Sequence, residues 1–178
     1  MKKLVTTVVA GLLAVGAVGC LAGCGEENPD KSGQGLQVND VKEIRGKVIG
    51  NSSDIVILSN AGLQSFLEEY PTYADDLNGY SIEEGESLLA ISCWRSTSSE
   101  KDFGVRKLYQ NGEMALNVQI DYFCGEIYNM EMMPLTLFIK TENLSLQPDA
   151  QGLLYSTFTN IRSGESRESS GTIAHVYI

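Results

Sequence analysis

Few side chains in this sequence have a type and spacing suited to chemistry. His175 is the single histidine, set in Thr172-Ile173-Ala174-His175-Val176-Tyr177. A lone His beside Ile173 and Tyr177 reads as a packed or edge residue, not as a base. The usual zinc sets need several Cys or His ligands and cannot be assembled around it. Ser is abundant, but no Gly-x-Ser-x-Gly elbow is present to raise a nucleophile. Neither a Gly-rich phosphate loop nor a dinucleotide fingerprint occurs. Acids are plentiful in Glu68-Glu69, Asp75-Asp76, Glu83-Glu84 and Glu86. Adjacent acids in a turn-rich stretch describe a solvated surface, and Asp75–Glu86 lacks the alternating spacing of a calcium loop. The expectation is a protein without enzymatic activity, cofactor or metal.

Cysteine is the more informative residue type. Leu21-Ala22-Gly23-Cys24 ends a charged start, Met1-Lys2-Lys3, and an apolar run from Leu4. That is the order of a secretory leader, with a positive start, an apolar stretch and small residues before a cut. The tetrapeptide resembles the bacterial lipobox. The resemblance implies a diacylglycerol thioether at Cys24, cleavage before it, and a bacterial lipoprotein held on the outer, extracytoplasmic side of the cell membrane. Cys20, in Ala17-Val18-Gly19-Cys20, is a second site, but it lacks the Leu three residues earlier. Leu4–Gly23 is also long enough to span a bilayer; Gly11, Gly16, Gly19, Gly23 and Gly25, and a Cys at the cut, favour the cleaved leader. Two or three acyl chains, each gaining about 0.8 kcal/mol per buried methylene, anchor far better than one.

Residues 24–40 follow as a polar stretch that cannot bury enough surface to offset its ordering entropy. They are expected to form a flexible tether with a reach of roughly 20 Å. Residues 41–178 are then one globular domain, long enough for a single core. Net charge is −10, and loss of Lys2 and Lys3 with the leader makes the mature chain more acidic. Such a chain is repelled by nucleic acid and by anionic headgroups. Its partners are expected to be the membrane, through lipid, and a protein or other envelope component. Secretion would place Cys93 and Cys124 where disulfides persist. Both fall on the apolar side of expected strands, so a disulfide between neighbouring strands is expected.

The elements that must position these residues are read from periodicity. Leu63, Phe66, Leu67 and Tyr70 recur at helical spacing after Ser59 or Asn60 as cap, and Pro71 stops the run. Ile55–Leu58 and Leu88–Trp94 are apolar strands. Asn111-Gly112 suits a two-residue hairpin turn. Beyond it Met114, Leu116, Val118, Ile120, Tyr122 and Cys124 alternate with mostly polar residues, as in a sheet covered on one side. Leu135, Leu137 and Ile139 give another strand. Gly152–Ile161 and Thr172–Ile178 form a last pair, joined by a long polar loop. The expected fold class is α+β, with one amphipathic helix packed on a mainly antiparallel sheet of about six to seven strands. Tyr70, Tyr73, Tyr80, Trp94, Phe103, Tyr109 and Phe123 flank loops. Most should finish the core; the rest would supply contact area or stack on sugars. The expected interaction surface is the Arg95–Phe103 loop with Trp94.

The order of elements over Val56–Leu144 carries a second resemblance. It runs strand, Ser/Asn-capped helix with Phe66-Leu67, acidic connector, apolar strand, hairpin and Leu-x-Ile strand. This layout resembles the PrcB-like domain of bacterial surface lipoproteins. Those domains often carry Thr-Gly-Gly-Tyr after the apolar strand, where this chain has Ser96-Thr97-Ser98-Ser99 and then Phe103-Gly104-Val105. The resemblance implies a non-catalytic domain that binds or stabilises a partner protein. A glycan- or solute-binding lipoprotein is the alternative from another class.

Overall fold

The structure is a computed structural model, which describes residues 34–96, 100–112, 115–125, 131–142, 144, 146 and 152–178. The leader, Cys20, Cys24 and residues 25–33 lie outside the described residues. No helix among the described residues is long and apolar enough to cross a membrane.

The fold is not the expected α+β arrangement of one helix on a mainly antiparallel sheet of six to seven strands. Among the described residues nine strands form one barrel-like sheet, with one ten-residue α-helix on its outside. In chain order they are β1 (Gln34–Leu36), β2 (Val38–Arg45), β3 (Asp54–Ile57), then the helix α1 (Asn60–Glu69), β4 (Glu86–Ser96), β5 (Glu100–Asn111), β6 (Ala115–Cys124), β7 (Met132–Glu142), β8 (Leu153–Asn160) and β9 (Ser166–Tyr177). The spatial order is β1-β5-β6-β8-β9-β3-β4-β7-β2. Six of the eight pairings are antiparallel, and β6/β8 and β3/β9 are parallel.

Two chain segments turn this sheet into a barrel by serving both of its halves. Strand β9 pairs with β8 through residues 166–172 and with β3 through residues 173–177. At the opposite corner, Gln34–Leu36 pairs with β5, and the chain continues after Gln37 into β2 on β7. The Gln37 carbonyl accepts the Glu142 N–H at 3.1 Å and the Thr141 hydroxyl at 2.7 Å. Strands that change sheets at corners are the usual way to close orthogonal β layers. Six of the last seven residues of the expected tether, 34–36 and 38–40, are therefore part of the sheet, and they join its two ends.

The barrel interior collects the apolar face of β6 (Leu116, Val118, Ile120, Tyr122, Cys124) with Leu89, Ile91, Leu135, Leu137, Ile139, Leu154 and Phe158. The alternation read along β6 thus faces the inside of a barrel, whereas α1 packs elsewhere. It covers the outer face of β3, β4 and β7 through Leu63 and Phe66, against Ile55, Ile57, Leu88, Ala90 and Phe138. Phe66 meets Tyr73, Phe138 and Tyr177 at ring-centroid distances of 5.6, 5.9 and 5.7 Å. The helix starts as its sequence dictates: the Ser59 hydroxyl accepts the Gly62 N–H at 3.0 Å, satisfying a first-turn donor. Gly62 has a second role, because a Cβ there would lie 2.7 Å from the backbone of Tyr177. Only a glycine lets α1 sit this close to β9.

Two loop expectations are also corrected. Asn111 pairs with Ala115, so three residues separate β5 from β6, not two. The expected long loop from Arg162 is mostly strand, since β9 begins at Ser166. Its residues Ser166–Ser170 are exposed on both faces, and hence show no apolar alternation.

Candidate functional site

Strand β3 is short, and its shortness leaves a gap in the barrel wall. It covers β4 only at Leu88, Leu89 and Ala90, while β4 runs on to Ser96, paired with β7 on its other side. Strand β9 likewise leaves β3 below Ile173 and continues along β8. Between the end of β4 and the start of β9 lies a cleft of about 330 Å³. Its walls include Ser92, Trp94 and Arg95 on one side and Arg167–Gly171 on the other, with Phe158 below.

Asp54, the first residue of β3, pins the closed end of this cleft. Its carboxylate accepts the Ser92 N–H at 3.2 Å. Its other oxygen lies so close to Gly171 that a Cβ there would sit 3.0 Å away. Burial pushes the Asp54 carboxyl up to about 6, only partly offset by the hydrogen bond from Ser92. At the open end the Glu100 carboxylate accepts the Ser96 N–H at 3.3 Å. Backbone groups alternate in direction along a strand, so Trp94, midway between Ser92 and Ser96, turns its N–H and C=O into the same gap. Two acids thus cap the edge donors on either side of Trp94. Its indole is 51% exposed, one of the few large apolar groups at the surface.

Arg95 points the other way, into the barrel. Its guanidinium lies 3.7 Å from the Phe158 ring centroid and 5.3 Å from that of Tyr122, distances at which a cation is attracted to the ring face. Glu100 is its nearest acid, at 3.8 Å from Nε, and both side chains are largely buried. A pair this long has poor geometry to offset the desolvation of two charges. Nε and Nη2 of Arg95 are buried without a hydrogen-bond partner among the described residues. Arg45, at the far end of β2 from the closing corner, donates to the Glu100 carbonyl at 2.8 Å and lies 6.0 Å from the Phe103 ring.

The expected interaction surface is therefore split. Trp94 is exposed and Arg95 lines the cleft, but Phe103 is buried, stacked on Tyr122 at 5.7 Å inside the barrel. Thr97–Ser99, the middle of that loop, lie outside the described residues. Phe103 is turned inward by the irregular start of β5, where Asp102 has a positive φ of 55° and the register shifts between Lys101 and Gly104. Glu100 carried no sequence signal of its own; an acid after a polar loop reads as solvated.

Cys93 and Cys124 carry free thiols in this structure. They belong to β4 and β6, which are not hydrogen-bonded neighbours, so the neighbouring-strand geometry behind the expected disulfide does not occur. Burial raises the Cys93 thiol to about 11, which makes it a poor nucleophile at neutral pH. His175 is exposed, 4.2 Å from the Tyr177 ring. The described residues contain no group of three or more His, Cys, Asp or Glu placed to hold a metal.

No family model matches the chain, and neither does any curated protein or solved structure. What the geometry defines is a small barrel with a laterally open seam, lined by strand edges, one exposed indole and one buried guanidinium.

Proposed function

We propose that this protein is a bacterial lipoprotein, anchored through Cys24 on the extracytoplasmic face of the membrane, and that it is a non-enzymatic module capturing an extended segment of a partner protein. The observation that carries the reading is the seam between β4 and β9. Free strand edges are a hazard that proteins ordinarily cover or blunt, and peptide recognition by strand addition uses such edges for main-chain hydrogen bonds. Here the edge is blunted by Asp54 and Glu100 on both sides of Trp94 and left open at Trp94 itself. An incoming strand would hydrogen-bond Trp94, pack against the indole, and turn an acidic side chain or carboxylate toward the guanidinium of Arg95, which lines the cleft. A bidentate carboxylate suits that fork.

The anchor rests on Leu21-Ala22-Gly23-Cys24. Cys24→Ala should leave an unprocessed precursor or release the protein from membranes; normal lipid labelling of that variant moves the anchor to Cys20. Strand capture is tested by selecting displayed random peptides on the immobilised protein. Selected peptides should carry an acidic residue in an extended context and should bind at least about tenfold more weakly to Trp94→Ala and Arg95→Gln, a loss of about 1.4 kcal/mol. Peptides that bind both variants as well as wild type would remove the seam from the account.

A further inference from the structure

Strand β3 measures the width of the seam. It pairs with β4 on one side and β9 on the other, so where it begins, at Asp54, those two strands stand two strand spacings apart, about 9.6 Å. Beyond Asp54 the strands β4 and β9 continue without being hydrogen-bonded to each other. On β4, Trp94 turns its main-chain groups into this gap. The β9 edge does the same. The Ile173 N–H donates to the Gly152 carbonyl at 2.8 Å and the Asn160 N–H to the Glu165 carbonyl at 2.9 Å. Main-chain direction alternates along a strand, so residues 167, 169 and 171 face β8, whereas Ser170 and Thr172 face the seam. The side chains agree. Arg167 and Ser169 lie opposite the buried Phe158 and Ser156 of β8, which puts them on the inward face of the barrel wall, and yet both are exposed. Inward side chains are open to solvent here because the wall lacks a strand beside them.

We propose that the captured segment enters the seam as a tenth wall strand, paired with Trp94 of β4 on one side and Ser170 of β9 on the other, and that it is read by an aliphatic side chain two residues from an acid. This insertion rests on the strand capture proposed above and adds its second edge and its sequence pattern. A chain hydrogen-bonded to Trp94 lies about 4.8 Å from β4. In a gap of twice that width it lies equally close to β9, so its N–H and C=O groups find partners on both sides, as in a central strand. The paired core is short, because Asp54 and Glu100 already hold the Ser92 and Ser96 N–H groups. Side chains beside one another on neighbouring strands share a face. The residue beside Trp94 therefore points outward with the indole. Its two neighbours point inward, beside Cys93 and Arg95. The first meets Ile91, Cys93 and Phe158 of the cleft wall, an apolar lining suited to Val, Ile or Leu. The second faces the Arg95 guanidinium and is the acid. Proline is excluded from the core, since it lacks the N–H that one edge or the other requires.

The test uses the full chain in detergent and a pool of acetylated, amidated peptides Thr-Thr-X-Thr-X-Thr-Thr, with each X drawn from Ile, Val, Leu, Glu, Lys and Ser. Binding is read by fluorescence anisotropy and by amide shifts of the labelled protein. The strongest binder should carry one aliphatic and one acidic X, and should shift the amides of Trp94 and Ser170 together. N-methylation of each amide in its X-Thr-X core, one at a time, should weaken it about tenfold or more, because consecutive N–H groups point to opposite edges. Ser170→Pro, which removes a seam-facing N–H that β8 does not use, should weaken it to the same degree. The N-methyl series needs no variant, so it stands even if Ser170→Pro fails to fold. Tolerance of N-methylation at alternate amides, with binding still lost in Trp94→Ala, overturns the insertion and leaves capture on β4 alone. A strongest binder without an aliphatic X overturns the reading of the inward side chain. A pool in which no peptide shifts Trp94 overturns insertion and capture together.

Discussion

Replacing Asp54 with Asn should stabilise this protein, and only above acid pH. In the folded chain burial holds the Asp54 carboxyl at about 6, against 3.8 for the free side chain. The folded state therefore binds the proton more tightly than the unfolded one. Stability falls as pH rises from 3.8 to about 6 and levels off above, where the ionised, buried carboxylate carries its full cost. At 1.36 kcal/mol per pH unit, the gap between those values is about 3 kcal/mol. Asn keeps an oxygen to accept the Ser92 N–H, now at 3.2 Å, and removes the charge. At pH 7.5 the variant should gain up to about 3 kcal/mol, which for a domain of this size raises Tm by roughly 6–12 °C. At pH 4 the two proteins should melt together to within about 1 kcal/mol. Urea titrations of both proteins between pH 4 and 8 measure the difference directly. A constant gap across that range, or an Asn variant that is less stable at pH 7.5, refutes the assignment of a buried, reluctant carboxylate at the closed end of the seam. A gain in the Asn variant at pH 7.5 marks the seam as a place where stability has been given up, as functional sites often are.

Other substitutions test the packing that builds the site. Gly62→Ala should destabilise by about 1–3 kcal/mol through the clash with the Tyr177 backbone, despite the roughly 1 kcal/mol by which Ala favours a helix; a stabilised variant contradicts the close approach of α1 to β9. Ser59→Ala should cost about 1 kcal/mol by uncapping α1, and unchanged urea midpoints would show that the cap is idle. With its thiol raised to about 11, Cys93 should alkylate slowly in the native protein at pH 8 and rapidly once unfolded. Fast native labelling contradicts its burial, and a non-reduced mass lighter by two hydrogen atoms would restore the disulfide with Cys124 that the sequence suggests.

The parts of the fold legible in sequence were those whose apolar pattern is local and regular. Helix α1 was legible because Leu63, Phe66, Leu67 and Tyr70 repeat at its period between a serine cap and a proline. Strand β6 was legible because its alternation is unbroken from Leu116 to Cys124. The barrel was not legible, because its closure depends on segments without a pattern. Ser166–Ser170 is exposed on both faces, and Gln34–Leu36 is polar except for its leucine, so both read as loop. Their strand identity comes from partners distant in sequence: residues 166–170 on β8, and Gln34–Leu36 on β5. At the site, Trp94 and Arg95 could be singled out because they end an apolar strand at a polar loop. Phe103 was misplaced because the register shift after Lys101 breaks the alternation that would have turned it inward. Glu100 and Asp54 escaped notice because nothing in a sequence marks an acid that will be buried against a strand edge.

An extended chain seated in the proposed seam between β4 and β9 would cover Trp94. Amide hydrogen exchange, measured residue by residue with and without a selected acidic peptide, tests it most directly. New protection is expected at Trp94 and within Arg167–Gly171, with little change on β5 and β6. Binding that leaves the Trp94 amide exchanging as in the free protein would contradict it.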